Sequence, residues 1–516
     1  MTTPSLQEPI KQLQAEGVQL IGDFVSNCGL SQSARDFVEI IRFIGLTHEV
    51  LDLPLFPERE AEKKQQVLHP PLYPRPASRL SLLNFNADLL PSVAASFPRS
   101  YFEDRYLIGV WFWETEVFPP HQAAGFDFVD EVWVASAHIR NALEKISPVP
   151  VRQFSHLIHP PRPAGREALP ASLNNNRFVF LFCFDFRSMA ERKNPAGTCR
   201  AFIKAFPEAL PDGPLCVIKS VAAYPDNITE FLDLQRQFRS RPDIIFMDGW
   251  LSPEQRDALM NRADCYVSLH RAEGLGLTLM ESMSLAKPCI GTAYSGNMDF
   301  MTTENSWLIP YQMIPVGRRR WPFSSNHTWA DPDLESAAAA MREACSDPGV
   351  IREKGRQAHD TITTRHSMEA VAGEIRLLLQ EAISRPTRVK PGLVRLSTAS
   401  DGKPVPTPTG RAQAYETLKT AKTLHQTARE QVRSLSRWKM DSGTRSALES
   451  ILEVQKLQME IQSQILRELG QMKQHTRGYE QNTFDRLLFD QQRSSLLLNE
   501  LTATLWDAKN PASLPP

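Results

Sequence analysis

The sequence lacks an apolar run long enough to cross a membrane. Its longest run, residues 178–184, has seven residues, whereas a spanning helix needs about 20. The N-terminus also lacks the basic and apolar regions of a signal peptide. The seven cysteines are scattered and never in C-x-x-C spacing, which argues against a disulfide framework and a zinc site. These absences predict a protein of the reducing cytoplasm.

A strong charge of either sign is absent as well. The formal net charge is −1 at pH 7, so nothing in the overall composition favours nucleic acid as a partner. What is present is a globular composition, with 42% hydrophobic and 23% charged residues. A chain of 516 residues exceeds a single hydrophobic core, so two or three domains are expected.

Strand and helix patterns alternate along most of the chain, which predicts α/β domains with parallel sheets. In the first half the predicted strands cover residues 18–24, 49–53, 80–85, 106–113 and 131–136. A proline-rich and polar passage then precedes residues 178–184, a fully apolar run typical of a central parallel strand. The predicted domains are residues 1–170 and 171–385, followed by a linker at 386–410 and a helical tail at 411–510.

The stretch from Asp264 to Asn297 predicts a strand, a glycine turn, a helix, a second strand and a second glycine turn. A glycine turn that leads into a helix N-terminus presents unpaired N–H groups and a positive dipole, so it can bind a diphosphate. Glu273 precedes this turn and Glu281 lies in the helix, eight positions later. We therefore place the candidate active site here.

The residues of this stretch resemble a known family. His270-Arg271, Glu273-Gly-Leu-Gly276, Glu281, Lys287-Pro288 and Tyr294-Ser-Gly-Asn297 are similar to the E-x7-E region of retaining glycosyltransferases of family 4, also called group 1. Residues 109–116 and 130–136 resemble one branch of the same family. The resemblance covers residues 18–385. It implies the GT-B fold, in which two Rossmann-like domains face each other and the second holds the donor.

The resemblance also implies a role for individual residues. Glu281 would bind the ribose of a nucleoside-diphosphate sugar, and Glu273 would bind the hydroxyls of its sugar. Arg187 and Lys193 would bind the diphosphate, with Arg192 as an alternative to Arg187, unless these are ordinary surface cations. Many relatives have a histidine at the end of the strand matched here by residues 110–114, but this sequence has Glu114 there, so the role of that histidine does not carry over. Glu114 is instead a candidate to bind or orient the acceptor hydroxyl, unless it only caps the next turn. The remaining predicted donor contacts are Gly274, Leu275, Gly276, His270, Arg271, Lys219, Ser295 and Asn297.

Neither a metal nor another cofactor is predicted. A D-x-D triplet, Asp331 and Asp333, precedes an alanine-rich helix, where one of the two is expected to be the N-cap. Cations at the donor site could stabilise the leaving diphosphate without a metal. The predicted partners are a nucleotide sugar and a glycan or lipid-linked acceptor.

The tail has no counterpart in the family. Residues 381–440 contain twelve Lys or Arg and four Asp or Glu, and residues after 411 show a broken heptad typical of imperfect coiled coils. The tail could form a homo-oligomer or fold back on the enzyme. Its basic segment could contact the inner face of the membrane or be an ordinary solvated helix face.

The predicted function is a retaining, metal-independent glycosyltransferase of polysaccharide biosynthesis. A nucleotide-sugar epimerase of the same fold would use the donor without an acceptor, and a phosphorylase would need a pyridoxal lysine. An inactive scaffold that acts through the tail is the alternative that involves no catalysis.

Overall fold

The computed structural model describes residues 7–53, 55, 78–97, 99–120, 122–221, 228–317, 323 and 327–398. These residues belong to one compact unit, Met1–Thr398. The predicted tail at 411–510, its coiled coil and most of the predicted linker therefore lie outside the described residues. Within the described part of the chain, no helix is long and apolar enough to cross a membrane.

The first half forms a six-stranded, fully parallel sheet. Its strands are β1 (Val18–Gly22), β2 (His48–Asp52), β3 (Leu80–Asn84), β4 (Tyr106–Trp111), β5 (Glu131–Val134) and β6 (Val151–Gln153), with helices α1 (Gln7–Glu16), α2 (Gly29–Phe43), α3 (Leu90–Ala95) and α4 (Ala137–Glu144). The strand order is β2-β1-β3-β4-β5-β6. All five strands predicted for this half are present, and β6 is an addition.

The second half forms another six-stranded parallel sheet. Its strands are β7 (Val179–Asp185), β8 (Leu215–Val221), β9 (Ile244–Met247), β10 (Cys265–Ser268), β11 (Cys289–Thr292) and β12 (Ser306–Ile309), with helices α5 (Ala190–Lys193), α6 (Pro195–Ala205), α7 (Ile228–Gln237), α8 (Pro253–Arg262) and α9 (Leu277–Ser284). The order β12-β11-β10-β7-β8-β9 is that of a Rossmann sheet. The order reverses between β7 and β10, and ligands bind outside the carboxyl ends of strands at such a point.

A hairpin and four more helices complete the described chain. They are β13 (Tyr311–Pro315), β14 (Thr328–Pro332), α10 (Leu334–Ser346), α11 (Pro348–Arg365), α12 (Met368–Ile383) and α13 (Pro391–Thr398). Helix α12 follows the second sheet in sequence but packs against α1 and α2 of the first half. The two halves are thus tied together by a helix as well as by the contacts near the candidate site.

Local sequence signals account for several element boundaries. Residues 252–255, Ser-Pro-Glu-Gln, have the sequence of a capping box, which predicts a helix start. The box forms at the start of α8, because Ser252 Oγ accepts from the N–H of Gln255 and the Gln255 side chain accepts from the N–H of Ser252. Strand β7 is central, so both of its faces are covered, which explains why residues 178–184 are apolar throughout.

The start of the predicted linker is corrected by the structure. Residues 385–398, here called the C-terminal strap, are packed on the first half instead of being free of it. Lys390 and Asp130 form an ion pair of 2.8 Å with both side chains at most 2% exposed, and Arg388 donates to the carbonyl of Val129. Leu393 covers an apolar hollow lined by residues such as Leu83, Leu90 and Phe102. The composition of residues 386–398 predicted a linker because the segment lacks hydrophobic periodicity. The strap is instead held by cations that bond to acceptors of the first half, and such pairing is not visible in the sequence.

The contribution of the Lys390–Asp130 ion pair to stability can be tested by mutation. Lys390→Met leaves Asp130 buried without its cation, so we expect a loss of about 3–5 kcal/mol in the free energy of unfolding. Arg395→Met is the matched control in the same strap, because Arg395 pairs with Asp127 at an exposed position and such pairs contribute about 1 kcal/mol at most. Urea unfolding midpoints measure both. Equal losses in the two variants would contradict the strap as a structural element.

Candidate active site

The candidate site lies where the strand order of the second sheet reverses. The segments that follow β7 and β10 meet there, and the segment after β11 packs beneath them. After β10 the chain makes the predicted glycine turn, residues 272–276, in which Gly276 adopts a φ of +99°. Gly276 is also the N-cap of α9, and as a glycine it has no side chain to cap the first turn of that helix. The helix N-terminus is therefore available to an anion.

Close packing around the glycine turn leaves no room for a Cβ at position 296 and little room at position 274. A Cβ on Gly296 would lie 2.1 Å from the carbonyl oxygen of Gly274, and a Cβ on Gly274 would lie 3.0 Å from the carbonyl oxygen of Trp113. Ser136, the N-cap of α4, donates from Oγ to the Gly274 carbonyl at 2.7 Å. The turn is therefore held between the second glycine turn and the first half of the chain.

Four charged side chains meet above the turn and form what we call the charge cluster: Glu273, Lys193, Arg192 and Glu114. The ammonium of Lys193 donates to Glu273 Oε1. Arg192 Nη1 lies 3.5 Å from Glu273 Oε2, and Arg192 Nη2 lies 3.7 Å from Glu114 Oε1. Glu114 comes from the first half of the chain, so the cluster joins both halves.

The cluster determines the ionisation of Glu273, whose side chain is only 11% exposed. Burial by itself raises the pKa of this carboxyl, but the attraction of Lys193 and Arg192 outweighs burial and lowers the pKa to about 2. Burial also lowers the pKa of Lys193, against the opposing attraction of Glu273. Glu273 is consequently a carboxylate at neutral pH and can accept hydrogen bonds, but it cannot donate a proton.

Glu281, on α9, is in a different environment. Burial raises the pKa of its carboxyl to about 7; Asp257 and Asp36 add to the increase, and Arg256 and His159 oppose it. Among the described residues the carboxylate has no hydrogen-bond partner. A partly buried carboxyl with unused acceptor oxygens is suited to binding hydroxyl groups.

His270 and Asn297, predicted to contact the donor, are corrected to a supporting position. Both are fully buried. One ring nitrogen of His270 bonds to Ser268 Oγ at 3.0 Å, and the other bonds to Asn297 Oδ1 at 3.0 Å. Asn297 also donates to the carbonyl of Thr292 at 2.9 Å. Because their polar atoms are used within the protein, these side chains hold the second glycine turn in place.

Arg271 and Lys219 are also bonded elsewhere. Arg271 Nη2 pairs with Asp331 at 2.8 Å and Nη1 donates to the carbonyl of Glu191 at 2.8 Å. The Lys219 ammonium donates to the carbonyls of Ser220 and Gly249. A position at the end of a strand does not show which backbone carbonyls or carboxylates bind a side chain.

Ser295, Leu275 and Arg187, also predicted to contact the donor, each have a different environment. Ser295 has a φ of +79°, and its Oγ accepts from the backbone N–H of Glu273 at 2.9 Å, so it orients that residue. Leu275 has its side chain in the core, leaving only its backbone in the turn. Arg187 lies in the turn after β7, where its backbone N–H donates to Asp185. The diphosphate role of Arg187 stays a prediction.

Arg192 is the residue whose importance the sequence understated. It was predicted only as an alternative to Arg187, yet it is 4% exposed and contacts both carboxylates of the cluster. Its signal in the sequence was its place beside Lys193 after a strand. The D-x-D triplet is confirmed as a helix start, because Asp333 Oδ1 accepts from the N–H of Ser336 at 2.6 Å.

Comparison with known sequences identifies the class of enzyme. Residues 202–312 match the family model described as "Glycosyl transferases group 1". The matched part contains Glu273 and Glu281 but begins after Lys193. No curated protein sequence matches the chain. The family match confirms the prediction that the chain is a glycosyltransferase.

Comparison with solved structures identifies the fold. Sucrose-phosphate synthase from Thermosynechococcus elongatus is 15% identical, with a TM-score of 0.51 over 70% of this chain and 98% of that chain. HepE from Anabaena, in complex with UDP and glucose, is 13% identical, with a TM-score of 0.49 over 70% and 99%. A glycosyltransferase from Rickettsia africae is 12% identical, with a TM-score of 0.47 over 71% and 99%. The predicted GT-B fold is confirmed for the described residues.

The close approach of the two glycine turns gives a test of the site's construction. Gly296→Ala places a methyl group against a backbone carbonyl that cannot easily move, so we expect a loss of about 1–3 kcal/mol in stability. Gly373→Ala is the control, because this glycine lies within α12 with no atom within 4 Å of the added Cβ; it should gain up to about 1 kcal/mol. Urea unfolding compares the two. If Gly296→Ala unfolds at the wild-type midpoint, the packing of the turns is wrong.

Proposed function

We propose that this glycosyltransferase moves a sugar from a nucleoside-diphosphate sugar to a hydroxyl of a glycan or lipid-linked acceptor, with retention of anomeric configuration and without a metal ion. The observation that carries the proposal is the charge cluster at the reversal of strand order, beside the free N-terminus of α9. A diphosphate needs cations and N–H donors, and a sugar needs fixed hydrogen-bond acceptors. The cluster supplies both side by side.

The donor is proposed to lie across the carboxyl ends of β7 and β10. Its ribose hydroxyls would donate to Glu281, whose carboxylate has no other described hydrogen-bond partner. Its diphosphate would lie between the α9 N-terminus and Lys193, with Arg187 as a further contact. Its sugar would donate to Glu273, which the cluster keeps ionised. The acceptor would approach from the first half, where Glu114 can orient the attacking hydroxyl.

The charged groups of the cluster indicate how the glycosyl transfer would be assisted. As the bond to the diphosphate breaks, negative charge grows on the leaving oxygen, and a fixed ammonium stabilises that charge more in the transition state than before it. Glu273 already interacts with two cations, which makes it a weak nucleophile and a good hydrogen-bond acceptor. We therefore propose a front-face displacement, in which the leaving diphosphate helps to take the proton from the acceptor hydroxyl.

The proposal is tested by finding the donor. Thermal unfolding is measured with UDP-glucose, UDP-N-acetylglucosamine, GDP-mannose and ADP-glucose, because a ligand at a hundred times its Kd stabilises the folded state by about 2.7 kcal/mol. Protection by one of them, followed by its turnover in the presence of a chelator, is the expected result. If no nucleotide sugar protects the protein or is consumed, the proposal fails.

The two glutamates and Lys193 should affect the kinetics differently. Glu281→Ala should raise the donor KM with little change in kcat, because ribose contacts are the same before and during reaction. Glu273→Ala should lower kcat more than it raises KM, and Lys193→Ala should lower kcat by roughly a hundredfold or more. Steady-state kinetics at saturating acceptor, or donor hydrolysis if no acceptor is known, separates these effects. Equal changes in all three variants would contradict the assigned roles.

The raised pKa of Glu281 predicts how donor binding depends on pH. Only the carboxylate form of Glu281 accepts from both ribose hydroxyls. Donor binding should therefore lower the pKa of Glu281 from about 7, its value in the protein without ligand. Below that value binding releases a proton, and affinity should rise by up to about tenfold per pH unit until about pH 7 and then level off. Calorimetric Kd values at about pH 6 and about pH 8 measure the change. Glu281→Gln should remove the dependence; a wild-type Kd that does not vary with pH would refute it.

The function of the tail also stays a proposal. Residues beyond the strap could supply self-assembly or contact with anionic lipid at the cytoplasmic face of a membrane. Arg385, Arg388, Lys390 and Arg395 of the predicted basic segment are already bonded to the first half. Any lipid contact would therefore depend on the basic residues after Thr398.

A further inference from the structure

Arg192 contacts both carboxylates of the charge cluster from a buried position. Its guanidinium lies between Glu273, of the second half, and Glu114, of the first half, with nitrogen-to-oxygen distances of 3.5 and 3.7 Å. Only 5% of the side chain is exposed. A cation in this position is shared between the residue proposed to bind the donor sugar and the residue proposed to bind the acceptor.

The guanidinium is also fixed by backbone carbonyls. Nε donates to the carbonyl of Ser188 at 3.1 Å, and Nη1 donates to the carbonyl of Ala272 at 2.7 Å. An arginine has five N–H groups in a rigid planar fork. Two of them are used by these carbonyls and two more face Glu273 and Glu114. Little of the fork is therefore left for a phosphate, in contrast to the ammonium of Lys193.

The backbone that carries Arg192 is also constrained. Helix α5 begins after Met189, with a φ of +67°, and ends at Asn194, with a φ of +58°. The conformation of Met189 is unfavourable for a residue other than glycine and persists only where packing enforces it, whereas asparagine tolerates the left-handed region. Asn194 is tied to β10 by donating to the carbonyl of Leu269 at 2.8 Å, and the carbonyl of Arg192 accepts from the N–H of Arg271 at 2.7 Å. The structure thus holds Arg192 at both the backbone and the side chain.

We propose that Arg192 is a positioning residue that bridges Glu273 and Glu114 and so sets the distance between the donor sugar and the acceptor hydroxyl. This inference rests on the proposed function. It assigns to Arg192 a task different from that of Lys193, its neighbour in sequence. Lys193 acts on the leaving diphosphate, whereas Arg192 acts through the two carboxylates. A lysine at position 192 could not reach both carboxylates and both carbonyls, because its ammonium is a single point of charge.

The bridge has an electrostatic consequence that can be measured. The charged or titratable groups that act on Glu273 are Lys193 and Arg192 on α5 and His270 after β10. Burial opposes them, so removing one cation shifts the balance toward the protonated carboxyl. Because burial raises the pKa of Glu281 itself to about 7, the effect has to be read in a Glu281→Gln background. There, loss of Arg192 should move the acid limb of activity to higher pH, since Glu273 must be ionised to accept hydrogen bonds from the sugar.

The experiment compares Arg192→Gln, Arg192→Lys and wild type, with Arg356→Gln as a control on the exposed face of α11. The donor is the one of UDP-glucose, UDP-N-acetylglucosamine, GDP-mannose and ADP-glucose that wild type consumes, and the assay is its hydrolysis. Arg192→Gln should bind the bare nucleoside diphosphate within twofold of wild type but bind the nucleotide sugar at least tenfold more weakly. In a Glu281→Gln background, the acid limb of kcat/KM should lie at higher pH when Arg192 is replaced by Gln than when it is present. Arg192→Lys should recover part of the lost affinity for the nucleotide sugar.

The comparison of bare nucleotide with nucleotide sugar separates positioning from folding. If Arg192 only stabilises α5, Arg192→Gln should weaken both ligands alike, because Lys193 lies on the same helix, and the inference is then overturned. It is also overturned if Arg192→Gln matches Arg356→Gln in every measurement. If wild type binds and consumes none of the four donors, the proposed function fails instead.

A double-mutant cycle tests the bridge to the acceptor side. Glu114→Gln is measured in wild-type and Arg192→Gln backgrounds, with transfer to an acceptor, or to water if none is known, as the readout. If the residues act as one unit, Glu114→Gln should reduce kcat less in the Arg192→Gln background than in wild type. Equal fold-reductions in both backgrounds would overturn the bridge to Glu114.

Discussion

A buried carboxylate held between two cations is the interaction on which the candidate site depends. Glu273 could not remain ionised at 11% exposure without Lys193 and Arg192, because an unpaired buried charge is strongly unfavourable. The two cations follow β7 and the carboxylate follows β10. They can meet only because the sheet order places these two strands side by side with their carboxyl ends together. The strand order is thus a precondition for the charge cluster.

The surrounding structure holds the backbone in the geometry that this cluster requires. Gly296 allows the second turn to approach the carbonyl of Gly274, and Gly274 allows the first turn to approach the carbonyl of Trp113. Buried His270 and Asn297 hold the second turn by hydrogen bonds. The first half adds its own contacts. Asp299 accepts from the N–H of Ala137 and from the Gln153 side chain, both at 2.7 Å. In this arrangement both halves determine the geometry of the site, even though the proposed donor contacts belong mainly to one half.

The sequence predicted those parts of the site that depend on local chain geometry. Glycine turns, capping residues and fully apolar strands are short-range signals, and they located the glycine turn, α8 and β7 correctly. Residues far apart in sequence were harder to predict. That Arg192 contacts Glu273 and Glu114, or that buried His270 bonds to Asn297, depends on side-chain packing between distant segments. The strap was missed for the same reason, since Lys390 finds Asp130 only after the fold has formed.

The charge cluster is proposed to bind the sugar and diphosphate of a nucleotide sugar. A crystal structure with a bound, unhydrolysed nucleoside-diphosphate hexose should show the ribose hydroxyls on Glu281, the diphosphate at the α9 N-terminus and Lys193, and the sugar hydroxyls within hydrogen-bond distance of Glu273. A nucleotide bound elsewhere, with the Lys193–Glu273 pair unchanged and Glu281 still without a partner, would contradict it.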